Sequence, residues 1–259
     1  MTRRRLDAEL VRRGLATSRT EAQRMVQGGL VEVRDNPTPK PATQVDGGTS
    51  IRIREALHEY ASRGGLKLEH ALAEFDVVVE GRSAVDVGAS TGGFTDCLLH
   101  HGASTVAAVD VGYGQLIERL RSDPRVTVFD RCNIRTAEPS DLGAPFDLVV
   151  ADLSFIAICT VVDNLERLGG PDADWVLLVK PQFEVGKADV GRGGIVRDPM
   201  LHARALRDAT ACLADVGLGV VGACASPITG AKSGNREFLV HARRGAPTVG
   251  VALFDRIVT

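Results

Sequence analysis

The chain has 259 residues, 44% of them apolar and 4% aromatic, with a formal net charge of −2. That apolar share supports a packed core and excludes global disorder, and the length holds a full α/β domain plus a smaller unit. So few aromatic residues argue against a surface that grips single strands by stacking bases on many rings.

The charge is unevenly spread. Residues 1–56 carry 11 Lys and Arg against 7 Asp and Glu, and the remainder carries 20 against 26. A basic arm on an acidic body suits one module that meets a polyanion and another that does chemistry. Five cysteines, at 97, 132, 159, 212 and 224, are odd in number and form no C-x-x-C pair. They read as small reduced core residues of a cytosolic protein, neither disulfide partners nor metal ligands, and no metal is expected. Met1-Thr-Arg-Arg-Arg5 is basic but no apolar run follows, so no secretory signal is expected. The longest apolar stretch, Leu148 to Val162, is interrupted by Asp152 and Ser154 and is too short to span a bilayer. The expectation is a cytoplasmic protein with no membrane partner.

In chain order, Leu6, Leu10 and Val11 mark one helical face, which Gly14 ends. Ser18 caps a second helix, Glu21 completes a capping box, and Gly28-Gly29 stops the helix after Gln27. Leu30-Val-Glu-Val33 alternates as a strand, a turn with Pro37, Pro39 and Pro41 follows, and Ser50-Ile-Arg-Ile-Arg54 alternates again. The sum is a small ααβββ-like unit over residues 1–55. The strings Arg5-Leu-Asp-Ala-Glu-Leu10, Gly14-Leu15, Ser18-Arg-Thr-Glu-Ala22, Gly29-Leu-Val-Glu-Val33 and Lys40-Pro-Ala42 resemble the S4 RNA-binding domain. The resemblance implies a helix pair that docks on structured RNA by charge and shape, with little base reading. Arg4, Arg5, Arg12, Arg19 and Arg24 are the side chains it would use.

Residues 56–62 form a short linker, and from residue 63 to 259 strands and helices alternate. A helix carrying Leu66, Ala71, Leu72 and Phe75 comes first. Strands are expected near 83–87, 104–110, 126–129, 146–151, 175–180, 218–224 and 236–242. Helices are expected near 92–101, 114–122, 156–168 and 198–216. Strict alternation of buried strands with helices predicts a mostly parallel seven-stranded sheet covered on both faces. The last two strands are joined by a loop alone, so they should form an antiparallel pair at one edge.

The first strand ends in Ser83-Ala-Val-Asp-Val-Gly-Ala-Ser-Thr-Gly-Gly-Phe-Thr95, a glycine turn that opens a helix. Glycine lets backbone approach a small molecule closely. Ser90 occupies the second glycine position of a dinucleotide fingerprint, and a phosphate-binding loop would need a lysine that is missing. Asp86-x-Gly-x-x-x-Gly92 resembles instead the first motif of class I, Rossmann-like methyltransferases, which bind S-adenosylmethionine. In that resemblance Asp86, Gly88, Ala89, Ser90, Thr91, Gly92, Gly93 and Phe94 surround the methionine part of the cofactor. Asp110, ending the second strand, can accept two hydrogen bonds from a ribose diol. Asn133, after the third strand, is placed to read the adenine edge, and Asp152 closes the pocket after the fourth.

Two further strand ends carry charge, in Phe146-Asp-Leu-Val-Val-Ala-Asp152 and Trp175-Val-Leu-Leu-Val-Lys180. A lysine closing so apolar a strand is costly unless paired, and Asp152 is its natural partner. With Lys67 before the first strand and Glu237 on the last, the set matches the Lys-Asp-Lys-Glu tetrad of FtsJ-like ribose 2′-O-methyltransferases. A ribose 2′-OH is a poor nucleophile that must be held against the methyl carbon and relieved of its proton. Lys180, oriented by Asp152 and Glu237, could fix that oxygen and stabilise developing negative charge, or act as base if some fraction is neutral.

Several strings then recur in order: Ser62-Arg-Gly-Gly-Leu-Lys67-Leu, Asp110-Val-Gly-Tyr-Gly-Gln115-Leu, Ala151-Asp-Leu-Ser-Phe-Ile156, Leu178-Val-Lys-Pro-Gln-Phe-Glu-Val-Gly-Lys187 and Gly234-Asn-Arg-Glu237. Over residues 3–242 the chain resembles the TlyA family, sometimes labelled hemolysin A. The resemblance implies an enzyme that methylates cytidine 2′-OH in ribosomal RNA, of the large subunit or of both ribosomal subunits. The joining segment reads Leu57-His-Glu-Tyr60 where actinobacterial members carry Arg-x-Trp-Val. The loop Glu184 to Gly194, positive at Lys187 and Arg192, is expected to be mobile and to close on RNA. The rivals fit less well. The Arg5-Leu-Asp7 of a pseudouridine-synthase string lies inside the first helix, a membrane-lysing protein lacks a spanning segment, and a non-catalytic RNA-binding module would not need the tetrad.

Overall fold

The computed structural model describes residues 3–16, 18–34, 39–53, 60–230 and 234–258, and of Arg24 the backbone alone. Of the sequence features, Pro37, Arg54 and the joining residues Leu57 to Glu59 lie outside the described residues. The chain forms two units, residues 1–59 and 60–259.

The first unit runs β1 (Arg4–Arg5), α1 (Leu6–Arg12), α2 (Arg19–Gln27), β2 (Val31–Val33), β3 (Gln44–Val45) and β4 (Ile51–Ile53). The expected helix pair is present, and Glu21 N donates to the capping Ser18 Oγ at 3.1 Å. β2 pairs antiparallel with β4, and β1 with β3. A two-residue ladder such as β1–β3 is too short to leave an alternation in sequence. Leu6, Leu10, Ala22, Val26, Val31, Val33 and Val45 fill the core. Two acids, Asp7 and Glu9, are buried beside it. They are tolerated because arginines pair with them: Arg5 with Asp7, and Arg12 and Arg13 with Glu9.

The second unit contains α3 (Gly64–Glu74), β5 (Ser83–Val87), α4 (Gly93–His100), β6 (Thr105–Val109), α5 (Glu118–Arg121), β7 (Val126–Phe129), β8 (Phe146–Ala151), α6 (Val162–Leu168), β9 (Gly169–Val179), α7 (Pro181–Glu184), α8 (Pro199–Asp215), β10 (Leu218–Ala225), β11 (Phe238–Arg244) and α9 (Ala252–Ile257). One seven-stranded sheet has the order β10-β11-β9-β8-β5-β6-β7. The five strands from β9 to β7 are parallel, and β11 runs antiparallel to both β9 and β10. Strand order reverses between β5 and β8, which puts the ligand crevice of an open α/β sheet at their carboxyl ends.

Side chains alternate between the faces, as the two-residue strand period demands. Val85, Val87, Val149, Ala151, Trp175, Leu177 and Val179 join one apolar layer with α6, α8 and α9. Ala84, Leu148, Val150, Val176 and Leu178 join the other with α3 and α4. The buried Trp175 donates Nε1–H to the Leu165 carbonyl at 2.8 Å, so its one polar atom is satisfied. Tyr60 and Ala61, from the end of the linker, dock on this unit: Tyr60 Oη donates to Glu69 at 2.8 Å and Ala61 N to Asp96 at 2.6 Å.

Three local expectations are revised. The helix near 114–122 shrinks to α5, because Gly114 is left-handed at φ 61° and Ile117 is extended at ψ 151°. The helix near 156–168 is broken into a 3₁₀ turn, Ile158–Thr160, and α6, since Ala157 is extended at ψ 148° and Val161, at φ −125°, leaves helical geometry between the two. Strand β9 begins at Gly169, not 175, pairing through its polar start. One expectation is wrong outright: Cys159 and Cys212 form a disulfide, with Cα atoms 5.4 Å apart, while Cys97, Cys132 and Cys224 are thiols. The pair is 53 residues apart in sequence, and only the packing of the 3₁₀ turn on α8 brings it together.

The buried acids of the first unit give it a defined acid response. The Arg5 guanidinium holds Asp7 far below the usual carboxylate range, and Arg12 and then Arg13 hold Glu9 down at about 2. A lowered carboxyl stabilises the fold above its unfolded pKa of about 4 and loses that contribution as pH falls toward the folded value. The protection factor of the α1 amides in the full chain, taken against the intrinsic exchange rate at each pH, is expected to fall between about pH 4 and pH 2. Undiminished protection at pH 2 would contradict the pairing.

Candidate active site

The turn after β5 is shaped by left-handed backbone, with φ of 92° at Gly88, 48° at Ser90 and 102° at Gly92. A Cβ at Gly88 would lie 2.6 Å from the Asp152 carbonyl oxygen, and one at Gly92 would strike the side chains of Leu120 and Leu116. Both positions therefore exclude any larger residue. The turn is stitched to β6 by Gly88 N to Val109 O at 2.8 Å and by Ser90 N to Asp110 Oδ2 at 2.8 Å. Asp110 thus braces the turn while remaining only partly buried. Thr91 is half-buried, and Ala89, Gly93 and Phe94 are buried, Phe94 within the apolar layer. Asn133 is exposed after β7, its Oδ1 accepting from Arg135 N at 3.1 Å.

Asp86 is fully buried at the end of β5. Its Oδ2 accepts from Thr95 N at 2.8 Å and Thr95 Oγ1 at 2.7 Å, at the start of α4. Its Oδ1 is buried with no hydrogen-bond partner among the described residues. Burial pushes this carboxyl up to about 7, against the lowering effect of the Thr95 bonds. An orphaned carboxylate oxygen beside a glycine turn fits a ligand that brings an N–H or ammonium donor.

The four chemistry-bearing residues singled out in the sequence meet at the carboxyl ends of β8 and β9. Lys180 Nζ contacts Asp152 Oδ1 and donates to Ser154 Oγ at 3.0 Å. Lys67 Nζ, from α3, lies 3.7 Å from Asp152 Oδ2 and 2.6 Å from Glu237 Oε2. Asp152 therefore bridges two ammonium groups, and Glu237, expected to orient Lys180, pairs instead with Lys67, while Ser154 takes the second place beside Lys180. Lys67, Lys180 and Glu237 are each at least 92% buried, so every charge is compensated where water is scarce. Asp152 is 21% exposed, which opens the cluster toward the glycine turn.

Four contributors were not singled out by sequence. Ser154 binds Lys180, Thr95 binds Asp86, and Gly230 leaves room for Glu237, since a Cβ there would lie 2.7 Å from its Oε1. Phe155, 85% exposed, sets its ring 5.1 Å from that of Phe183 beside the Lys180 end of β9. The Glu184–Gly194 loop contains a 3₁₀ turn at Lys187–Asp189, and Lys187 and Arg192 are exposed. It is tied to the approach to Glu237: Asn235 Nδ2 donates to Gly194 O at 2.8 Å, and Val196 N donates to Asn235 Oδ1 at 2.9 Å. In the first unit Arg4, Arg5, Arg12 and Arg19 are exposed, and the Arg24 side chain lies outside the description. Among the described residues no cluster could hold a metal ion, and no helix is long and apolar enough to cross a membrane.

A family model described as FtsJ-like methyltransferase matches residues 60–244, and the S4 domain model matches residues 4–51. The chain is 49% identical to a 16S/23S rRNA (cytidine-2′-O)-methyltransferase, TlyA, of Mycobacterium tuberculosis, covering 93% of this chain and 90% of that protein. It is 39% identical to hemolysin A of Brachyspira hyodysenteriae, covering 92% and 98%. A solved structure from Streptococcus thermophilus, described as a hemolysin, superposes with a TM-score of 0.78 at 40% identity, covering 100% of this chain and 95% of that one. The chain belongs to the TlyA family, in which an S4 domain is joined to an FtsJ-like methyltransferase domain.

Proposed function

We propose that this protein transfers a methyl group from S-adenosylmethionine to the ribose 2′-hydroxyl of a cytidine in ribosomal RNA. The observation that carries the reading is the Lys67–Asp152–Lys180–Glu237 cluster, assembled beside the glycine turn. Large-subunit RNA is the proposed substrate and small-subunit RNA a second one, by analogy with the relatives' names. Ribosomal subunits are then the partners, and the cytoplasm is the place of work.

The residues present fit the cofactor. The orphaned Asp86 oxygen would receive its ammonium group, the backbone from Gly88 to Gly92 its methionine part, Asp110 its ribose and Asn133 its adenine. Bound there, it would supply an electrophilic methyl group. Lys180 would hold the ribose 2′-oxygen and stabilise charge as the proton leaves. Asp152 fixes Lys180, while Lys67, clamped by Asp152 and Glu237, adds a second positive charge behind it. Phe155 offers an exposed ring on which a splayed-out base could stack. The S4 unit would deliver RNA through its arginines, and Lys187 and Arg192 would add contacts beside the site.

Lys180→Met is expected to lower the methyl-transfer rate at least about 1000-fold, because both acid–base and electrostatic contributions vanish. Cofactor and RNA affinities, measured by calorimetry and filter binding, should stay within about threefold. Retained turnover would defeat the assignment.

The raised carboxyl of Asp86 also predicts a pH profile. Below about 7 it is protonated and can offer no charge to an ammonium group. Cofactor affinity is therefore expected to rise from pH 6 to pH 8, and Asp86→Asn to flatten that rise. A native affinity independent of pH over this span would refute the role of Asp86.

A further inference from the structure

We infer that Asp7 is a positioning residue, which gathers Arg5 and Arg19 into one pre-set guanidinium pair for RNA phosphate. The inference rests on the proposed RNA role of the first unit. Asp7 is 0% exposed, in the first turn of α1. Its Oδ1 accepts from Arg5 Nε at 3.1 Å and from Ala8 N at 2.8 Å. Its Oδ2 accepts from Arg5 Nη2 at 2.8 Å and from Gln23 Nε2 at 2.9 Å, and Arg19 Nη2 lies 3.5 Å from it. Arg5 comes from β1 and Arg19 opens α2, so one carboxylate collects guanidinium groups from two separate elements.

The arrangement has three consequences. Arg5 grips Asp7 by its Nε–Nη2 edge, so the planar group turns its Nη1 corner away from the carboxylate. Two guanidinium groups converging on one point would repel each other, and the buried carboxylate offsets that repulsion while leaving net positive charge. The side chains stay 43% and 59% exposed, so each guanidinium is held along one edge by Asp7 while the rest of it faces solvent. A guanidinium already fixed loses less freedom when it meets phosphate.

Glu9 shows the contrasting use of the same chemistry. Its partner Arg13 is 21% exposed and donates to the carbonyls of Thr49, Asp46 and Gly47 at 2.9 to 3.1 Å. Arg13 therefore holds the turn before β4, whereas Arg5 and Arg19 have no such task among the bonds described for them.

Bare electrostatics gives the opposite sign to positioning. Deleting an acid beside a polyanion site should tighten binding, whereas deleting a positioning acid should weaken it. The test is a double-mutant cycle on the full chain, with binding to purified large ribosomal subunits measured over a range of salt. Asp7→Asn is expected to weaken binding about fivefold or more in the native background and less than about twofold with Arg5→Gln and Arg19→Gln present. Unchanged or tighter binding of Asp7→Asn would overturn the inference. So would an equal loss in both backgrounds, which is the pattern of a merely destabilised unit. If the double arginine variant binds like the native chain with the same salt slope, it is the RNA role of this pair that fails, and the inference falls with it.

Discussion

Asp152 is the constraint on which the active region depends. Its carboxylate meets Lys180 on one oxygen and Lys67 on the other, while its own backbone carbonyl closes against Gly88. Without it two buried ammonium groups would face each other uncompensated, a cost of several kcal/mol by order of magnitude. With it, the strand ends of β5, β8 and β9 and the start of α3 are fixed around one point. The same residue thus sets the glycine turn and the lysine pair in register. That is what a displacement reaction needs, because both partners must be held before either moves.

Buried carboxyls in this chain are used in two opposite ways. In the first unit Asp7 and Glu9 are paired with arginines and pushed down, so they are permanent anions that organise cations. In the second unit burial raises Asp86 and Glu184 to about 7, leaving them short of compensation. Glu184 accepts from Ile158 N at 3.1 Å and so braces the segment that follows Phe155. An unpaired buried acid is a poor choice for stability, and that cost is what supports the proposed ligand role of the orphaned Asp86 oxygen.

Much of this was legible in the sequence for identifiable reasons. The second unit's strands are short apolar runs punctuated by glycine and charge, so their positions and the reversed β11 could be read directly. Asp86, Asp110, Asp152 and Lys180 were visible because each ends such a run. Other features depend on contacts made only in three dimensions. The Cys159–Cys212 bond needs α8 to pack on a 3₁₀ turn. Ser154 acquires its role from a lysine 26 residues away. The buried pairing of Asp7 could not be seen either, since a charged helix face reads as solvated until its neighbours are known. The β1–β3 ladder and the early start of β9 carry no hydrophobic signal at all.

The central claim is the identity of the methyl acceptor. Ribosomal subunits from cells lacking this protein, incubated with the purified full chain and S-adenosylmethionine, can be digested and mapped by mass spectrometry. The account predicts new methyl groups on the ribose 2′-oxygen of specific cytidines, absent when Lys180→Met replaces the native chain. Methylation on a base, or on a ribosomal protein, would contradict it.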